Sequence, residues 1–102
     1  MNVKVVPNPY IAYSDMNETE YLRQIRFTHL PPQCKIKIYT VSGEFVFELK
    51  HDINDADTKP YDGNEFWDLR TINNQEVSPG LYLFVVTSDG REPFTGKFAI
   101  VR

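Results

Sequence analysis

Residues 34–49 read Cys-Lys-Ile-Lys-Ile-Tyr-Thr-Val, then Ser-Gly, then Glu-Phe-Val-Phe-Glu-Leu. Apolar side chains recur at every second position, the pattern of a strand with one buried face. Two such runs joined by Ser42-Gly43 read as a β-hairpin, with Gly43 free to supply a positive φ at the turn. The alternation predicts Cys34, Ile36 and Ile38 facing inward with Phe45, Phe47 and Leu49, and Lys35 and Lys37 facing water.

The same period recurs along the chain. Ile25 and Phe27 alternate within 21–30, 65–71 is a short strand, and 94–101 is a last one. Residues 81–88 (Leu-Tyr-Leu-Phe-Val-Val-Thr-Ser) are apolar on both faces, as expected of a central strand. With Val3–Val6 this makes about seven strands joined mostly by short turns, which predicts one all-β, immunoglobulin-like antiparallel β-sandwich. The expected core is Ile25, Phe27, Ile36, Ile38, Phe45, Phe47, Trp67, Leu81, Leu83, Phe98 and Ile100. Helix signals are weak: 14–24 supports one turn at most, and 51–64 reads as a polar loop.

Val3–Val6 runs directly into Pro7-Asn8-Pro9. Each proline lacks an N–H and fixes φ, so the prolines should end the strand and peel the chain away from its sheet.

At 102 residues the chain is one domain, long enough for a single core. A net charge of −3 argues against nucleic-acid or anionic-membrane partners, both of which favour basic patches. No run is long and apolar enough for a membrane-spanning helix, and no signal peptide is expected at the N-terminus. Cys34 is the single cysteine and is expected to be a buried, inert thiol.

Catalysis is not expected. His29 and His51 lie in no nucleophile motif, and one cysteine with two separated histidines is no zinc set. No glycine-rich phosphate loop is present, and no cofactor is expected. Asp52, Asp55, Asp57 and Asp62 miss the calcium-loop spacing, so no metal site is assigned. Asn17-Glu18-Thr19 is a glycosylation sequon that has meaning only in a eukaryotic secretory pathway.

In order, the stretches Val-Lys-Val-Val-Pro-Asn-Pro-Tyr (3–10), 25–49, Phe-Trp-Asp-Leu-Arg-Thr through Ser-Pro-Gly-Leu-Tyr-Leu-Phe-Val-Val (66–86) and Gly-Lys-Phe-Ala-Ile-Val-Arg (96–102) resemble one family. It is the C-terminal sorting domains, type A, of type IX secretion cargo in the Bacteroidetes and related bacteria. The series is also similar to the immunoglobulin-like domain of the flagellar hook-capping protein FlgD. The resemblance covers nearly the whole chain. It departs at two places: Leu69 follows Trp67-Asp68 where the family often has glycine, and Asn73-Asn74 stands where Asn-Gly is common.

The resemblance implies a non-catalytic domain, 1–102, at the C-terminal end of a larger secreted protein. Such a domain would carry its cargo through the periplasm to the type IX outer-membrane translocon and the cell surface. The implied partners are the secretion machinery and the upstream cargo domain. Pro7, Asn8 and Pro9 would form the junction motif. Gly96, Lys97, Phe98, Pro79, Gly80 and Tyr82 would be the secretion-signal candidates, with Lys97 as the basic residue of the last strand. Two alternatives stay open. One is an immunoglobulin-like spacer or FlgD-like assembly module. The other is a carbohydrate-binding module that holds a cell-surface polysaccharide on Tyr10, Tyr13 or Tyr61.

Overall fold

The computed structural model describes residues 2–11, 24–52 and 63–101. Among the described residues there are eight strands: β1 (Lys4–Val6), β2 (Tyr10–Ile11), β3 (Ile25–Thr28), β4 (Gln33–Thr40), β5 (Phe45–Asp52), β6 (Glu65–Trp67), β7 (Gly80–Thr87) and β8 (Phe94–Val101). They form two sheets. One has the order β1-β3-β6, and the other β2-β8-β7-β4-β5. The helical turn considered within 14–24 and the sequon at 17–19 lie largely or wholly outside the described residues.

The strand beyond the seven expected is β2, which follows Pro7-Asn8-Pro9, a segment whose two prolyl bonds are both cis. The prolines do end β1, as expected. The chain then crosses to the opposite sheet, where Tyr10 and Ile11 pair in parallel with Ile100 and Val101. Among the described residues the sandwich therefore has one parallel pair in an otherwise antiparallel arrangement.

Both sheets turn their apolar sides to each other. Ile25, Phe27, Ile36, Ile38, Trp67, Phe98 and Ile100 are buried, as the period-two pattern predicts. Phe98 is the hub, with its ring centroid 5.5–6.2 Å from those of Phe27, Trp67, Tyr82 and Phe84. Such ring packing adds to the burial of the large apolar surfaces.

Three expected core residues lie elsewhere. Leu81 is 54% exposed, Leu83 is half-buried, and the core receives Tyr82, Phe84 and Val86 from β7 instead. Pairing in register with Ile36 and Ile38 places Val86 and Phe84 inward. Phe45 is exposed as well. The register of β4 with β5 shifts between Ile38 and Tyr39, so Ile38 faces Phe47 and Tyr39 faces Phe45. Val46 is the extra residue of this bulge and is the one buried there. Its carbonyl accepts the Ile72 N–H at 2.9 Å, so the bulge leaves that group satisfied.

The sandwich is tied together at one side by β5 and β6. The Phe47 and Trp67 rings stack at 6.3 Å, and Glu65 Oε1 lies 2.9 Å from His51 Nδ1. At the start of β7, the Tyr82 hydroxyl donates to the carbonyl of Ser78, four residues upstream. A tyrosine at a strand corner bonded back to nearby backbone is a recurring device of immunoglobulin-like sandwiches.

Candidate functional site

The two motifs singled out at opposite ends of the sequence meet in space. Asn8, between its prolines, lies against the outer edge of β8. Its Nδ2 donates to the Lys97 carbonyl at 3.3 Å, and its Oδ1 accepts the Ala99 N–H at 3.1 Å. A side-chain amide offers the same donor and acceptor as a peptide group. Asn8 thus extends the β2–β8 pairing by one step and covers edge groups of β8 that would otherwise face water.

The secretion-signal candidates divide into two groups. Lys97, Pro79 and Gly80 are exposed, as are Pro7, Asn8 and Pro9. Phe98 and Tyr82 are buried and stack on each other at 5.5 Å, which gives them packing roles. Burial also raises the Tyr82 phenol above its ordinary pKa. Gly96 belongs with the packing group. A Cβ placed on it would lie 2.4 Å from Phe84 Cζ, because the Phe84 ring sits directly over this backbone. Gly80 takes φ +153°, a conformation that side chains rarely adopt.

The two departures from the pattern of the family it resembles fall at two of the three non-glycine residues with positive φ among the described residues. Leu69 and Asn74 both have φ 63°. The glycines common at these positions fit that backbone without penalty, and asparagine tolerates it better than most residues. Leu69 is buried, which compensates for its conformation. Asn74 sits in a turn that repeats three hydrogen bonds of the Ser42-Gly43 turn. Thr40 N–H donates to Glu44 O at 2.8 Å, and Thr71 N–H to Gln75 O at 2.7 Å. Gly43 N–H donates to Thr40 O at 2.9 Å, and Asn74 N–H to Thr71 O at 2.8 Å. The Thr40 and Thr71 hydroxyls accept from the amides of Glu44 and Gln75. The shared sequence is Thr, an apolar residue, Ser or Asn, Gly or Asn, then Glu or Gln, a correspondence that was open to reading from the sequence.

Away from these motifs, Cys34 and His51 face each other across β4 and β5 and help line an open cleft of about 660 Å³. Burial, and then the nearby Glu65 carboxylate, push the Cys34 thiol up to about 11. This opposes the thiolate that a nucleophile or metal ligand needs. His51 Nε2 is buried without a hydrogen-bond partner among the described residues. No group of three histidine, cysteine or carboxylate side chains is placed to hold a metal among the described residues. Asp55, Asp57 and Asp62 lie outside them, while Asp52 accepts from Gln33 Nε2 at 3.2 Å. Tyr10, offered above as an exposed sugar platform, is buried in the core and cannot serve. Tyr13 and Tyr61 fall outside the described residues.

The fold defines a two-sheet β-sandwich module, with an asparagine clasp and a tyrosine corner. No protein-family model and no curated protein matches the chain. Among solved structures, it is similar to a segment of PorZ, an essential bacterial surface component of the type IX secretion system of Porphyromonas gingivalis. That match has a TM-score of 0.72 and 21% identity over 98% of this chain and 11% of PorZ. It is also similar to part of dimeric latent PorU from the same organism, with a TM-score of 0.63 and 22% identity over 97% of this chain and 9% of PorU. The chain thus spans about a tenth of the length of either protein.

Proposed function

We propose that this sandwich is a non-catalytic sorting domain that directs a larger exported protein to the type IX secretion machinery and the cell surface. The observation that carries this reading is the shared fold with a segment of PorZ, a surface component of that system. The contact of Asn8 with Lys97 and Ala99 supports it further, because it joins the junction motif to the terminal-strand motif. In this reading the machinery recognises the exposed side of β8, with Lys97 the accessible charge. Gly96, Phe98 and Tyr82 act by holding that strand in place.

A second reading draws on the same geometry. Since Asn8, Gly96, Phe98 and Tyr82 all have structural jobs, the module also fits an immunoglobulin-like spacer or FlgD-like assembly domain. The test is to fuse the domain behind a passenger carrying an export signal, in a bacterium with a type IX system. The expected outcome is surface delivery by the wild type and periplasmic retention by Lys97→Ala, with an unchanged melting temperature. Normal delivery by Lys97→Ala, and also by a version lacking Gly96–Arg102, favours the spacer.

A further inference from the structure

The outer face of the five-stranded sheet is divided into two halves by its register. At one end, Tyr39 pairs with Phe45 on β5 and with Leu83 on β7, and Leu83 pairs with Lys97 on β8. The next row continues with Leu81 opposite Ala99, and then Val101 opposite Ile11. Phe45, Leu81, Val101 and Ile11 are 44–54% exposed, so an apolar band crosses all five strands. Contiguous exposed apolar surface of this kind marks interaction sites.

The other half is basic. Lys35 and Lys50 stand directly opposite each other, and Lys37 stands opposite Glu48. Two like charges in facing positions destabilise a sheet when nothing lies between them. Four of the chain's six lysines lie on this face, with the carboxylates of Glu48 and Asp52, in a chain whose net charge is −3. Lys35 and Tyr39 are four residues apart on β4, so the basic and apolar halves lie about 13 Å apart along the strand.

We propose that this face is a docking surface for a protein segment that presents carboxylates beside apolar side chains. A carboxylate between Lys35 and Lys50 would relieve their repulsion, while leucine-like side chains cover Leu81, Leu83 and Tyr39. The inference rests on register and charge and does not require the export reading.

The probe is an eight-residue Glu-Leu peptide, Leu-Ser-Leu-Ser-Glu-Ser-Glu-Ser, which when extended presents its leucines and carboxylates on one face about 13 Å apart; it is titrated into the whole domain by calorimetry and amide chemical shifts. The same peptide with lysine in place of glutamate, and that with serine in place of leucine, are the controls. Saturable binding of Glu-Leu alone is expected, with shifts confined to this face and several-fold weakening at high salt. Leu81→Ser and Lys35→Glu should each weaken binding at least five-fold. Lys4→Glu, exposed on the other sheet, should change it less than two-fold. All variants are checked for unchanged melting temperature. Failure to bind, equal binding of a control peptide, or indifference to Leu81→Ser and Lys35→Glu would overturn the proposal. Two further outcomes would reassign the surface. Sedimentation showing a dimer that Leu81→Ser dissolves would give it to a second copy. Cosedimentation with phosphatidylglycerol vesicles that Lys35→Glu abolishes would give it to a lipid surface.

Discussion

The Asn8 side chain holds the backbone of Ala99, ninety-one residues away, by a 3.1 Å hydrogen bond, and its other end reaches the Lys97 carbonyl. Because the contact is at the surface, Asn8→Ala should cost about 1 kcal/mol in urea unfolding. Asn8→Asp keeps the acceptor for Ala99 but sets a carboxylate against the Lys97 carbonyl. Its deficit relative to wild type should shrink once pH falls below about 4, where the protonated acid regains a donor. An unchanged deficit across that range would show that the donor half of the clasp contributes nothing.

Gly96 and Phe84 face each other across β7 and β8 at a spacing that leaves no room for a methyl group. Gly96→Ala should destabilise by about 1–3 kcal/mol, as overpacked cores do. A Phe84→Leu change should recover part of that loss in the double mutant, giving a measurable coupling. Export defects in Gly96 variants should accordingly track melting temperature, unlike those of Lys97→Ala.

Trp67 is 1% exposed, stacks on Phe47 and donates its Nε1–H to the Arg70 carbonyl at 3.0 Å. Trp67→Ala should cost about 3–5 kcal/mol. A urea midpoint equal to that of wild type would show the ring to be peripheral.

Leu69 and Asn74 share the same φ but should respond oppositely to glycine. Asn74→Gly should stabilise by about 0.5 kcal/mol, since an exposed turn loses only strain. Leu69→Gly also relieves about 1–2 kcal/mol of strain but gives up a buried leucine that is worth about 2–5 kcal/mol. The net expectation is destabilisation, read by thermal or urea unfolding of the two variants.

Cys34 predicts an alkaline limit. Its thiol ionises near 9 when unfolded and at about 11 when folded, so the unfolded chain loses its proton first. The contribution is complete below pH 9 and declines as pH rises toward 11. Cys34→Ala should flatten the wild-type loss of stability between these values. Tyr82, also raised by burial, acts with the same sign from its higher ordinary value and remains in both proteins. At pH 8 the folded thiol should react with a disulfide reagent about two orders of magnitude more slowly than in urea.

Sequence alone determined where most of the described strands lie, but not β2 or the last two residues of β5, His51 and Asp52, which fall in the segment read as a polar loop. Alternation at 34–38, the Ser42-Gly43 turn and the prolines after Val6 act within a few residues, and local chemistry suffices to read them. It also determined that Ile25, Phe27, Ile36, Ile38, Trp67, Phe98 and Ile100 form the core. The tertiary structure decided what local pattern leaves degenerate. Residues 81–86 are apolar on both faces, so only pairing with Ile36 and Ile38 selected Tyr82, Phe84 and Val86 for the interior. At 45–47 a one-residue bulge reversed the choice between Phe45 and Val46, and a bulge is set by the partner strand. The clasp of Asn8 on Lys97 and Ala99 depends on two sheets closing over one core, a relationship that neither segment encodes by itself.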